Sequence, residues 1–375
     1  MYKLKIRCSF GLEAVIKRQL LELGYNDLNV KDGEITLLAN TKDISILNLY
    51  LRCADRIYIE LNSFKAMSFE ELFENINKME WSDYFTQKTN FIVNANSHKS
   101  KLYSLRDIQS ICEKAIIESL KRKYNISFFE KSNERASLEI SIIKNIVSVN
   151  LDTSGDSLHK RGYRNDTVKA PLRENLAAGL VDLSFYNSDR FLYDPFCGSG
   201  TILIEAARKE RNIPSGIDRD FDFTEFKFID KSIFNKVRKE AFEKINYDKK
   251  LHILGSDISG RAIELAKNNA INAGVEEDID FITRDFKNVN IKDDYGIIIT
   301  NPPYGKRLSN TNLNKLYKEF NRKFKDYNTL SFYIITADEK FDKFFSKKLS
   351  RKRKLYNGNI KTTYYQYYGA KPKHK

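Results

Sequence analysis

Apolar and polar residues alternate along Tyr2–Cys8, the period of a strand with one buried face. The period then lengthens to a helical one over Leu12–Leu23, which Gly24 closes. A turn at Lys31–Gly33 leads to a second strand, Glu34–Leu38; Phe69–Met79 reads as helix, Asn90–Ala95 as strand and Ser104–Tyr124 as an amphipathic helix. Strands at Ser137–Ile142 and Ile146–Asn150 complete a first module of short strands and helices, residues 1–155, with no catalytic signature. The polar, glycine-containing stretch Asp152–Arg164 marks a boundary, with 156–166 as linker.

From 167 to 375 the pattern becomes regular α/β. Strands at Arg190–Phe196, Leu251–Ile258, Ile279–Arg284, Tyr295–Thr300 and Leu330–Thr336 alternate with helices at Ser199–Arg211, Arg261–Ala273 and Asn314–Lys325. Asn357–Gly358 then precedes the alternating stretch Ile360–Tyr368, a hairpin signal. The predicted architecture is an α+β module followed by a doubly wound parallel sheet that ends in an antiparallel hairpin. Residues 212–250 must then protrude as an insertion between a helix and the next strand.

Four strand ends carry candidate chemistry. In Asp194–Thr201 (DPFCGSGT), Gly198 and Gly200 let the backbone approach a ligand, and the free amides of the next helix face it. The spacing is neither that of a dinucleotide fingerprint nor that of a P-loop, and Asp194 in front suits an ammonium group. Asp257 ends the second strand, where a carboxylate can accept both ribose hydroxyls or equally cap a helix. Asp285 follows the third strand and can accept an exocyclic adenine amine. The fourth site is Asn301–Pro302–Pro303–Tyr304 beyond an apolar strand. Two prolines fix φ and leave carbonyls free to accept, Asn301 adds an amide oxygen, and Tyr304 adds a planar face. This geometry suits the amine of guanine, adenine or cytosine alike.

Charge points to the partner. The chain of 375 residues carries 64 Lys and Arg against 50 Asp and Glu, a net +14 that favours polyanions. From Lys340 onward, twelve Lys and Arg face one acid, Asp342, so this tail holds most of the excess. Candidate polyanion contacts are Lys99 and Lys101, Lys160, Arg161 and Arg164, and Arg351 and Arg353 within Lys347–Lys354, a run that also suits a solvated basic turn. Four scattered cysteines and four isolated histidines disfavour a disulfide scaffold, a metal centre or a Ser-His-Asp triad. No apolar run approaches the roughly 18 residues of a membrane helix, and the start lacks a secretory apolar stretch, so a cytoplasmic protein is expected. The oligomeric state is left open.

Taken together, DPFCGSGT, the two strand-end acids and NPPY resemble class I S-adenosylmethionine-dependent methyltransferases acting on exocyclic amines. The linker DTSGDSLHKRGYR with Thr167–Ala177 (TVKAPLRENLA) is similar to the THUMP-domain RNA guanine-N2 methyltransferases, in particular the bacterial large-subunit rRNA enzymes of the RlmL type lacking a second methyltransferase domain. The resemblance covers essentially the whole chain. It implies a Rossmann-like methyltransferase domain behind a ferredoxin-like and THUMP RNA-binding module, S-adenosylmethionine as cofactor, and no metal. It also implies residue roles. Asp194, Gly198 and Gly200 flank the methionyl part, with Phe196 and Thr201 shaping the loop. Asp257 binds the ribose, Asp285 the adenine amine, and Phe286 covers the adenine ring. Ala170, Pro171 and Glu174 close over the methionine end, and Asn301, Pro302 and Tyr304 hold the base. Guanine in 23S rRNA is the implied target; a tRNA guanine-N2 enzyme, a DNA amino-methyltransferase and a non-catalytic RNA-binding factor are the competing readings.

Overall fold

A computed structural model describes residues 1–126, 135–164, 172–303 and 310–371. These form two seven-stranded sheets. The first contains β1 (Tyr2–Cys8), β2 (Asn29–Lys31), β3 (Glu34–Ala39), β4 (Ala54–Lys65), β5 (Asn90–His98), β6 (Arg135–Ile143) and β7 (Ile146–Asp152), in the order β2-β3-β1-β4-β7-β6-β5. The twelve-residue β4 makes it continuous: its first half pairs with β1, while Tyr58–Lys65 pairs with β7. Helices α1 (Glu13–Glu22), α2 (Thr41–Tyr50), α3 (Phe69–Asn77) and α4 (Leu105–Tyr124) belong to this module. Both β4 and α2 lie in a stretch that the periodic reading passes over. A local signal for α2 is present nonetheless. The Asn40 side chain accepts from the Lys42 and Asp43 amides, and Asp43 accepts in return from the Asn40 N–H, a reciprocal cap.

The second sheet is built from β8 (Leu192–Asp194), β9 (Ile253–Asp257), β10 (Ile279–Thr283), β11 (Ile297–Thr300), β12 (Ser331–Thr336), β13 (Arg351–Asn357) and β14 (Ile360–Tyr367). Its order is β10-β9-β8-β11-β12-β14-β13, with β14 antiparallel to β12 and to β13 and the first five strands parallel. Helices α5 (Glu174–Asp182), α6 (Thr201–Glu210), α7 (Lys231–Phe242), α8 (Gly260–Asn272) and α9 (Asn310–Phe324) accompany it. β11 and β12 are buried along their whole length, which is why they read as apolar runs rather than alternations. The winding reverses between β8 and β11, and such a switch point leaves a crevice beyond the strands' carboxyl ends. The hairpin loop falls one residue later than expected: Asn357 pairs with Ile360, so Gly358 and Asn359 form the turn, with Gly358 at φ +62°.

Residues 212–250 do not protrude; they clasp the two halves together. The Gly216 amide donates to Leu49 O at 2.9 Å, and Ser215 Oγ lies 3.2 Å from the carbonyls of Leu49 and Leu51. α7 packs against α2, and the Phe223 amide donates to Thr153 O at 3.1 Å. Arg219 donates to the carbonyls of Ser154, Asp156, Ser157 and Lys160. The described part of the boundary stretch is likewise fixed, with Thr153, Ser154, Leu158, Arg161 and Tyr163 all buried. None of the described helices is long and apolar enough to cross a membrane.

Candidate active site

The parallel register places the four motif-bearing strand ends at one edge of the sheet. β8 and β11 are neighbours, pairing Leu192 with Ile297 and Tyr193 with Ile298. Across them Thr300 Oγ1 donates to Asp194 Oδ1 at 2.6 Å, so the glycine loop and the Asn-Pro-Pro loop are joined at their bases. Asp194 is 2% exposed and also accepts from the Phe196 amide at 3.0 Å. Burial pushes its carboxyl up to about 7, against the pull of those two hydrogen bonds. Thr300, unremarked in the sequence, is thus a structural partner of the site. Its signal is a hydroxyl residue ending an otherwise apolar strand.

The glycine loop is held from the next strand. Gly198 N–H donates to Asp257 Oδ2 at 3.1 Å, and Cys197 N–H to Ser256 O at 3.1 Å. Gly198 and Gly200 both have positive φ, +52° and +82°. A Cβ on Gly200 would come within 2.9 Å of Phe281, whereas one on Gly198 would meet nothing within 4 Å among the described residues, which leaves that side of the loop open to a ligand. α6 begins at Thr201 with no side-chain cap, which leaves its first amides to a ligand. Asp257 is not the cap of α8; Ser259 is, accepting from the Ala262 amide at 3.3 Å. Asp257 Oδ1 instead accepts from Ser259 N–H at 2.9 Å, and the carboxylate remains half-buried at the edge. Ile258, next in sequence, is 76% exposed. A bare aliphatic side chain there offers an apolar face beside the carboxylate, and its signal is an isoleucine placed after the strand rather than within it.

Three expectations need correction. Phe286 is buried, not open to a ligand: it packs on Phe196 (centroids 5.1 Å), Phe320 and Phe324 in the core beneath the edge, and the half-exposed Phe196 is the ring that reaches the surface. Arg161 is 1% exposed, pairs with Glu205 at 3.4 Å and donates to the carbonyls of Leu158 and Arg52, so no face of its guanidinium is left for a phosphate. Arg164 is also committed, to Glu174 (3.4 Å), Leu172 O and Thr201 Oγ1 (2.6 Å), and ties the linker to the start of α6. The other cations expected to touch RNA are scattered. Lys99 and Lys101 are exposed beyond β5, Lys160 is exposed and paired with Asp156, Arg351 is exposed on β13, and Arg353 is half-buried there. Asp285 accepts from the Lys287 amide and pairs with its ammonium at 3.0 Å. Ala170, Pro171 and Tyr304 lie outside the described residues.

Among the described residues, two polar atoms at this edge are buried without a donor: Asn301 Oδ1 and Glu174 Oε2. An unpaired buried acceptor costs about 1–3 kcal/mol, a cost that a ligand carrying N–H groups removes. The open Gly198 side, the buried carboxylates of Asp194 and Glu174 and the half-buried Asp257 together fit a ligand with an ammonium end and a ribose.

A Rossmann-like sheet with this strand order, a glycine loop at its switch point and an acceptor-rich proline loop next door define a class I S-adenosylmethionine-dependent methyltransferase. The sequence agrees region by region: residues 161–366 match the RMKL-like methyltransferase domain, residues 3–58 the RlmL ferredoxin-like domain and residues 66–152 the THUMP domain. The chain belongs to the RMKL-like methyltransferase family. It is 41% identical to the RNA methyltransferase candidate YpsC of Bacillus subtilis over 100% of this chain and 98% of that one. It is 33% identical to the ribosomal RNA large subunit methyltransferase K/L of Buchnera aphidicola over 81% of this chain but 45% of that protein, so it spans about half the length of the K/L relatives. Among solved structures, the SMU.472 methyltransferase candidate, complexed with SAH, superposes with TM-score 0.93 at 38% identity over 99% of both chains. A Listeria monocytogenes protein described as an N6-adenine-specific DNA methylase superposes with TM-score 0.92 at 40% identity over 98% of this chain and 96% of that one.

Proposed function

We propose that the protein transfers a methyl group from S-adenosylmethionine to the N2 amine of a guanosine in large-subunit ribosomal RNA. The observation that carries this reading is the orphaned Asn301 Oδ1, a buried amide oxygen with no donor among the described residues, at the mouth of the cofactor crevice. A guanine amine is a poor nucleophile because its lone pair is delocalised into the ring. Asn301 Oδ1 and the Pro302 carbonyl accept its two N–H groups, which returns density to nitrogen and points the lone pair along the axis of transfer. Prolines at 302 and 303 hold those acceptors in place with little left to reorganise. Tyr304 stacks on the base once it leaves its helix, a step that costs a few kcal/mol. Asp194 and Glu174 would hold the methionyl ammonium, Asp257 the ribose hydroxyls and Asp285 the adenine amine. The cofactor would supply an electrophilic sulfonium methyl, the bonding pair staying on sulfur as nitrogen takes the methyl, and the amine would release one proton to water. Proximity and orientation carry most of the rate, worth about 7–11 kcal/mol in well-oriented systems.

Support for RNA comes from the THUMP match and from K/L relatives named for ribosomal RNA. A DNA adenine target is the second reading, favoured by the description of the Listeria neighbour. Replacing Asn301 by Ala is expected to abolish transfer while cofactor affinity, measured by calorimetry, changes by no more than a few-fold; near-normal turnover would end the account. Nucleoside mass spectrometry of rRNA, tRNA and DNA from a strain lacking the gene separates the targets: loss of N2-methylguanosine from rRNA is expected, and loss of N6-methyldeoxyadenosine from DNA would install the second reading.

A further inference from the structure

A cleft of about 1280 Å³ opens between the first sheet, the linker, the 212–250 clasp and the turn of the β13–β14 hairpin. That volume exceeds the roughly 300–1,000 Å³ of a small-molecule pocket and suits an extended ligand. Its position ties it to the catalytic edge in two ways. Arg164 and Glu174 form part of its wall, and Arg164 donates to Thr201 Oγ1 where α6 leaves the cofactor loop. Gly358 lies in the turn that precedes β14, and β14 pairs Thr363 with Thr336, the carboxyl end of β12, so that turn projects from the same edge as Asn301.

The charge of the cleft is not balanced within itself. Asp156 is matched by Lys160, Glu174 by Arg164, Glu225 by Lys231 and Asp220 by Arg238. Arg219 is consumed by backbone carbonyls. Two guanidinium groups remain with neither an ion pair nor a side-chain hydrogen bond among the described residues: the exposed Arg135 at the start of β6 and the half-buried Arg173 beside Gly358. Asp222, itself on the cleft wall, feels Arg56 most and Arg135 less, and Asp55 feels Arg173. His159, hydrogen-bonded to Ser157 on the cleft wall, registers the surplus: burial and then the charges of Arg173, Arg161, Lys160 and Arg164 depress its ring to about 4.

We infer that this cleft holds the sugar–phosphate backbone of the RNA strand leading to the target nucleotide, with Arg135 contributed by the first module and Arg173 by the catalytic domain as its phosphate ligands. The inference rests on the RNA reading above and deepens it. A guanidinium presents a planar fork that matches a phosphate in two bonds, and two such forks on opposite modules fix the strand's path across the seam between them. The clasp then has a role beyond joining the halves: it forms one wall of the channel and holds both cation-bearing modules at a set separation. The loop bearing Lys99 and Lys101 lies at the opposite end of β5 and β6 from Arg135, about 25 Å away along the strands, so those lysines belong to a different part of the footprint.

The test uses the full chain and ribosomal RNA transcribed in vitro, with charge-reversing Arg135→Glu and Arg173→Glu variants and charge-retaining Arg135→Lys and Arg173→Lys. Each reversal is expected to raise KM for RNA at least tenfold, with kcat and the affinity for S-adenosylhomocysteine unchanged within twofold. The slope of log Kd against log salt should flatten by about 0.7–0.9 for each phosphate that is no longer neutralised. The lysine variants should keep the wild-type slope. Unchanged KM and slope in both reversals would overturn the inference, as would an equal loss in Arg173→Lys and Arg173→Glu with the slope intact, which marks a packing role. Wild-type protein that methylates DNA but not RNA would overturn the underlying reading as well; wild-type transfer to RNA alongside unaffected reversals removes this inference alone.

Discussion

Two regions of the molecule bury charge in opposite ways. Along the seam, where linker and clasp join the modules, buried charge is paired: Arg161 meets Glu205 and the Arg52 carbonyl, Arg52 donates to the Ile213 carbonyl, Arg208 meets Asp218 of the clasp, and Arg219 donates to four carbonyls. At the carboxyl edge of the second sheet, among the described residues, Asn301 Oδ1 and Glu174 Oε2 lack donors, and Asp194 is buried without a counter-charge. A network is saturated here in that each buried charge meets a partner, although single atoms such as Glu205 Oε2 still lack a donor among the described residues. An unsaturated one stores unmet demand that only a ligand relieves.

The largest expected effect lies in the saturated region. Replacing Arg161 with Met strands Glu205 among buried groups, leaving Tyr163 Oη as a neutral donor at 3.1 Å, and should cost about 3–5 kcal/mol in urea unfolding. Adding Glu205→Leu should restore much of that, since removing both charges also removes the uncompensated one. A single variant of wild-type stability would mean that the seam is no more saturated than the edge.

At the edge the effect falls on ligand binding. Asp194→Asn keeps an acceptor for Thr300 and Phe196 but loses the charge, and should weaken cofactor binding by roughly ten- to a hundredfold, the worth of a hydrogen bond to a charged group at about 1.5–3 kcal/mol. The pH dependence follows from the same carboxyl. Its folded value lies above its ordinary one, 3.8 against about 7, so between those values the native state keeps a proton that the unfolded chain has released. The ligand-free protein should therefore lose stability as pH rises through that window. Cofactor affinity should rise through pH 7, as the ionised form becomes available to an ammonium group. In the Asn variant both dependences should flatten, read by thermal unfolding and by calorimetry at pH 6 and 8.

The same contrast explains what could be read from the chain. The edge was legible because its demands are local: glycines where φ is positive, an acid just before them and a proline pair after an apolar strand all stand within a few residues. The seam was not. Arg161 and Arg164 sit in the basic run Lys160–Arg164, which looks like an RNA contact until Glu205 and Glu174, 44 and 10 residues further on, fold against them. Nothing local announces that residues 212–250 grip Leu49 and Thr153, since those bonds run to backbone atoms that every residue carries. Phe286 misled for a related reason. An aromatic after a strand-end acid can face either way, and the cluster of Phe196, Phe320 and Phe324 decides that it faces inward.

Lys160 offers the finest test, because it belongs to the same basic run as Arg161 yet points to solvent. Its ammonium pairs with Asp156 four residues earlier at 3.0 Å, with both side chains more than half exposed. A pair in that setting is screened by water and salt and contributes about 0.2–1 kcal/mol. Lys160→Ala should therefore leave urea unfolding almost unmoved, in contrast to Arg161→Met one position along. RNA binding should also change little, because the substitution removes a charge that Asp156 already offsets and frees that acid to repel phosphate only weakly; a flattening of the salt slope by no more than about 0.7–0.9 is the ceiling for one phosphate. If Lys160→Ala instead destabilised the fold as much as Arg161→Met, burial would not be what separates the two, and the division between a saturated seam and a responsive edge would have to be redrawn.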